Sequence, residues 1–211
     1  MPKGIRAAAL LAVATLAGPH PKVAAAQSAT DLASEALQEC RQGQTGGDRA
    51  TRKAHYERGE ALAERAISLD DGSADAHFGV VCNLGELLRL DGEKLTSVLS
   101  LRRLLAEIDK TLVLEPAHIQ AMATKGTLLV RLPRMFGGDP REGERLLREV
   151  VRRDDTAVTS RITLARVYDE RGQRDEARQL ASQALQAAKQ KGIADKIAEA
   201  QAVVDQLGAA H

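Results

Sequence analysis

The sequence predicts an all-α fold, a right-handed superhelical solenoid of about four helical hairpins with a helix capping its C-terminal end. Three observations predict it. Alanine, leucine, arginine and glutamate dominate the composition, which favours helix over sheet. Aromatic residues are 2% of the chain and tryptophan is absent, so the usual material of packed strands is missing. Above all, a set of offsets recurs three times along the chain, the signature of a repeat architecture.

The offsets are counted from three short marks: Leu69-Asp70-Asp71, Leu114-Glu115-Pro116 and Arg153-Asp154-Asp155. At one fixed distance after each mark stand Val81, Gly126 and Ala165, and one helical turn further stand Leu84, Leu129 and Tyr168. At fixed distances before the marks stand Ala66, Thr111 and Val150, and before those Gly59, Leu104 and Gly143. Each unit reads as two helices sharing one apolar face, which a single hairpin cannot bury and a stack of hairpins can.

Residues 1–26 precede the repeats and read as an export signal. Lys3 and Arg6 supply a positive start, Ala7 to Leu16 an apolar run too short to span a bilayer, and Ala24-Ala25-Ala26 a cleavage site before Gln27. The expected mature chain is exported, either periplasmic or secreted, with its repeat domain over residues 27–208. No cysteine follows Leu16-Ala17-Gly18, so no lipid anchor is expected. No later apolar stretch approaches the length of a transmembrane helix, so no transmembrane anchor is expected.

The helices are expected in pairs: Thr30–Gln42 with Arg49–Leu69, Ala74–Leu90 with Leu95–Leu114, Ile119–Leu132 with Pro140–Arg153, and Ala157–Arg171 with Arg174–Lys191. A last amphipathic helix, Ala194–Leu207, should cap the stack, with Ile197, Ala200, Val204 and Leu207 on one side. The turn inside the fourth pair is minimal, while the turns inside the second and third carry insertions. The third insertion ends in Gly137-Gly138-Asp139-Pro140, a helix start in which Asp139 caps, Pro140 takes the first helical position and Glu142 completes a capping box. Phe136 either tucks under this loop or waits for a ligand. Cys40 and Cys82 fall on first helices of neighbouring units, where they either form a disulfide or serve as two small apolar residues.

The last unit carries a resemblance. Leu164-Ala165, Tyr168, Gly172, and then Ala177, Ala181 and Ala184 follow the tetratricopeptide pattern of a small residue, an aromatic, a turn glycine and spaced alanines. The chain resembles that family over roughly Thr30 to Lys191, with His77, Met122 and Arg161 where the opening tryptophan often stands. The segment Leu132-Pro133-Arg134-Met135-Phe136-Gly137-Gly138-Asp139-Pro140 further resembles exported tetratricopeptide proteins associated with tripartite substrate-binding transporters, and the regulators of microtubule dynamics. That resemblance implies a soluble solenoid whose cleft takes small hydrophobic ligands or a partner protein.

Chemistry is not evident in the sequence. There is no P-loop, no dinucleotide fingerprint and no nucleophile elbow, so no catalytic residue and no cofactor is expected. The histidines form no i, i+4 pair and the cysteines no CxxC motif, so no metal site is expected. His77 reads as a packed imidazole, and Glu144, Glu149 and Asp154 as parts of solvated faces. Without the leader the chain has 27 basic and 29 acidic side chains, which gives no electrostatic footprint for nucleic acid. The expected role is a non-catalytic scaffold that grips a protein, a peptide or a small hydrophobic ligand in its concave groove. The competing classes are a structural subunit of an envelope complex and an enzyme. The register assigns the groove to Phe78, Cys82, Ala123, Thr127, Val130, Arg131, Ile162 and Arg166, with Phe136 at its rim. Phe78, Cys82, Ala123 and Thr127 stand where chaperone-tail receptors of the family carry a carboxylate clamp of Lys, Asn and Arg, which argues against such a receptor.

Overall fold

The computed structural model describes residues 27–90, 98–192 and 194–209. Among these residues are nine α-helices, one 3-10 turn and no strand. They are α1 (Ala29–Thr45), α2 (Arg49–Leu69), α3 (Ala74–Leu90), α4 (Val98–Leu114), α5 (Ile119–Arg131), α6 (Pro140–Arg153), α7 (Val158–Glu170), α8 (Arg174–Lys191) and α9 (Ala194–Ala209). A 3-10 turn, η1 (Arg134–Phe136), interrupts the loop between α5 and α6. The expected leader lies outside the described residues, as do residues 95–97 at the expected start of α4.

Local chemistry starts several of these helices. The Ser28 hydroxyl accepts from the Asp31 backbone N–H while the Asp31 carboxylate answers the Ser28 N–H, a reciprocal capping box. Asp48 caps α2 by accepting from Thr51 N at 2.8 Å. His118 caps α5, its Nδ1 accepting from Ala121 N at 3.2 Å, while its ring lies 4.4 Å from that of Phe78. Asp139 caps α6 as expected, taking the N–H groups of Arg141 and Glu142. Glu142 does not reach back to complete a capping box, however, because both its oxygens are held by Arg145 at 2.7 Å.

Consecutive helices pair as α1/α2, α3/α4, α5/α6 and α7/α8, and α9 packs on α8 and α7. The pairs stack, so α3 touches α1 and α2 as well as α4, and α7 touches α5 and α6 as well as α8. Every position of the repeat register is buried: Ala66, Thr111 and Val150; Val81, Gly126 and Ala165; Leu84, Leu129 and Tyr168; Gly59, Leu104 and Gly143. The sharpest of these crossings joins α5 to α6. A Cβ added to Gly143 would stand 2.8 Å from the Gly126 carbonyl oxygen, and one added to Gly126 would stand 3.0 Å from that of Gly143. Neither position has room for a side chain, so two backbones meet here directly. Gly138 is equally constrained, since its Cβ would overlap the Leu132 carbonyl.

Cys40 and Cys82 form a disulfide joining α1 to α3, with Cα atoms 6.1 Å apart. This decides between the two readings of these residues. The core then runs along the stack, from the leucines, valines and Ile108 around α3 and α4 to an alanine-rich cluster between α7, α8 and α9.

Candidate functional site

The first helices were expected to present an apolar groove, and the structure closes most of it. Phe78 is buried against His118 and the core around α3, and Ile162 is fully buried among α7, α8 and α9. Both are packing residues, not groove lining. Cys82 is held in the disulfide. Val130 is half-buried at the α5/α6 crossing, where its Cγ2 would lie 2.8 Å from a Cβ on Gly143. Ala123 is half-buried against the cluster around Met122 and Leu146, and Thr127 is half-buried. Arg131 and Arg166 are the exposed members of the set, and Arg166 reaches Glu199 of α9 at 3.4 Å. Phe136 is half-buried in η1. The physical reason is the stacking. A first helix in mid-array packs against neighbours on several sides, so its apolar sector is wider than the seam of one hairpin.

A second surface, shared by α6, α7 and α8, is better shaped for contact. Between α6, α7 and α8 lies an open cleft of about 320 Å³. Val151 of α6, Leu164 and Tyr168 of α7 and Leu180 of α8 make its apolar part, and Gln179, Gln183 and Glu176 its far edge. Arg148 and Arg152 form the near edge and continue into a second shallow depression along α6, shared with Arg141 and Arg145.

Electrostatics fix this edge. The Arg148 guanidinium donates from Nε to the Tyr168 hydroxyl at 2.6 Å and sits over the ring, 5.5 Å from its centroid. That hydrogen bond holds the guanidinium above its ordinary pKa, against a smaller opposing effect of burial. The same arginine pairs with Glu144 at 2.5 Å, and Glu144 also accepts from Arg171 at 2.5 Å. Glu144 is therefore a buried, doubly paired carboxylate and not part of a solvated face. Along the helix, Arg145 and Arg152 clasp Glu142 and Glu149 through two hydrogen bonds each. Hydrogen bonds from Arg145 and from Arg152 are the leading reasons why these two carboxylates lie below their ordinary pKa.

His77 is buried, as a packed imidazole should be. Its Nδ1 lies 2.6 Å from Glu107 and its Nε2 3.0 Å from the Asp71 carbonyl, so both ring nitrogens are engaged. No group of three or more His, Cys, Asp or Glu side chains is placed to hold a metal ion among the described residues.

Residues 137–199, which run from the loop before α6 into α9, match the tetratricopeptide repeat family model. Over these residues the chain resembles a tetratricopeptide repeat. Solved structures similar to this chain include MamA 41-end from Desulfovibrio magneticus RS-1, at 17% identity over 84% of this chain and 96% of that one, with a TM-score of 0.49. The MamA RS-1 ArsTM double mutant is similar at 16% identity over 84% and 95%, also with a TM-score of 0.49. No curated protein matches the sequence. The cleft around Tyr168 lies wholly within the matched repeat segment.

The cleft was missed in the sequence although its parts were visible. Tyr168 was recognised as a register position, and the charges of α6 were read as solvated. The available signal was the spacing of Arg141, Arg145, Arg148 and Arg152, which puts four arginines on one side of a helix.

Proposed function

We propose that this repeat protein is a non-catalytic, exported scaffold that binds a protein or peptide, or a small hydrophobic ligand. One observation carries the reading: the register spends its small and apolar residues on contacts between helices. That leaves the outer faces of the stack free to vary for a partner, as in other solenoids. The Cys40–Cys82 bond supports export, because such bonds persist in oxidising compartments. The leader sequence, with a positive start, an apolar run and a small-x-small site in that order, supports it independently.

The test is native mass spectrometry on protein purified from its own host, combined with thermal melts. A bound mass whose removal lowers the melting temperature is the expected result. A bare oligomer that forms with rising concentration and responds to no ligand would instead make the chain an assembly subunit. N-terminal sequencing of the same preparation should begin at Gln27. An intact Met1 would overturn the export reading.

A further inference from the structure

We propose that the cleft between α6, α7 and α8 takes an acidic peptide segment, with one apolar side chain on the floor and carboxylates on the α6 arginines. The proposal rests on the binding role above and gives that role a partner class and a place.

The charge of the cleft's edge is arranged by depth. Arg141, Arg145, Arg148 and Arg152 are spaced by four, three and four residues, so they form one stripe along the helix. The acidic partners of Arg148 and Arg152 sit beneath them, while Glu142, the partner of Arg145, is itself 40% exposed. Arg148 is 59% exposed above Glu144 at 9%, and Arg152 is 71% exposed above Glu149 at 28%. A partner approaching at Arg148 and Arg152 therefore meets guanidinium groups before carboxylates. A guanidinium has five N–H donors, and a bidentate pair uses two, so outward donors remain for a second carboxylate. Surface pairs within one helix are weak enough to exchange for such a partner.

The floor supplies the second half of the recognition. Half-buried Val151 and Leu180 form an apolar strip beside the arginines, backed by the buried Leu164 and Tyr168. Arg148 fixes the Tyr168 hydroxyl and covers part of the ring, so the boundary between charge and floor is set before any ligand arrives. A volume of about 320 Å³ stands at the small end for binding sites and suits one or two side chains better than a large cofactor. A nucleic acid is disfavoured, because the aromatic ring here is buried under Arg148 and offers no stacking platform.

The test uses the full chain with its disulfide intact and a fluorescein-labelled pentapeptide of one leucine flanked by glutamates. Fluorescence anisotropy at low ionic strength should saturate. Affinity should fall about tenfold or more in the Arg145→Glu/Arg152→Glu double variant, and also at high salt. Replacing the peptide's leucine by glycine should weaken it further, and the double variant should melt like the parent. Absence of saturation at millimolar peptide overturns the proposal, as does equal binding by the double variant. Equal binding of the glycine peptide or of inorganic polyphosphate would reduce the site to a general anion surface and refute the floor's part. Loss of binding in Ala123→Glu but not in the double variant would move the site to the first-helix side. Sedimentation in which the double variant dissociates a dimer would make the occupant a second copy of this chain. Each of these outcomes leaves the native mass spectrometry result, and so the scaffold reading, standing on its own evidence.

Discussion

Around α3, close contacts of small residues such as Gly79 with Ala63 and Ala36 are supplemented by groups that reach across space, whereas the buried side of α8 is made of small residues alone. Cys40 is bonded to Cys82, and the fully buried Asn83 donates to the carbonyls of Ala36 at 3.0 Å and Gly79 at 2.8 Å. His77 bridges α3 to α4 through Glu107. At the other end, Ala177, Ala181, Ala184, Ala187 and Ala188 line the buried side of α8 against Ala165 of α7 and Ala200 of α9. A long side chain or a covalent bond tolerates a gap between helices. A methyl group contributes only where backbones come close. One register has thus been built with two kinds of joint, and they should fail differently.

The largest effect should come from removing the covalent joint. The bond closes a loop with a sequence separation of 42, for which the chain-entropy model gives about 4 kcal/mol. Cys40→Ala/Cys82→Ala should therefore lower stability by about that amount in a denaturant melt. The loss should fall on α1–α4, with the α7–α9 end melting as before when followed by hydrogen exchange.

Overpacking the alanine joint comes next. Ala165→Leu and Ala177→Leu should each cost about 1–3 kcal/mol, since both sites are fully buried and every neighbour would have to shift. Unchanged thermal melts for both would contradict the close approach of α7 and α8.

Two smaller changes sharpen the polar side of the comparison. Asn83→Ala leaves the Ala36 carbonyl without this donor and should cost about 1–2 kcal/mol in chemical denaturation. Tyr56→Phe removes a buried hydroxyl that makes no well-formed hydrogen bond among the described residues, with Arg52 and Arg89 only nearby, so its cost should stay below about 0.5 kcal/mol. If Tyr56→Phe cost as much as Asn83→Ala, hydrogen bonding would not be what distinguishes this end.

Much of the fold was legible because its requirements are local or periodic. Gly126 and Gly143 could be placed from offsets alone, since a backbone crossing demands small residues at fixed spacing. Asp139-Pro140 could be read as a helix start because capping is decided within one turn. Phe78 and Ile162 were misplaced for the complementary reason. Periodicity gives the direction a residue faces on its own helix, but not how many other helices lie in that direction. Glu144 was misread because one of its partners, Arg171, comes from the end of the next helix, and charge alone suggested solvent. The cleft at Tyr168 needed three helices to be assembled before it existed.

The disulfide also changes what a break in the chain means. Residues 40 to 82 form a closed ring that contains all of α2 and the turn leading into α3. A protease that cuts once inside this ring severs the backbone without separating the pieces. The nicked protein should run as one band on a non-reducing gel and as two after reduction. A single cut between α4 and α9 has no such tether and should release a fragment under either condition. In a compartment where proteases are common, the segment between Cys40 and Cys82 is thus protected against loss of parts as well as against unfolding.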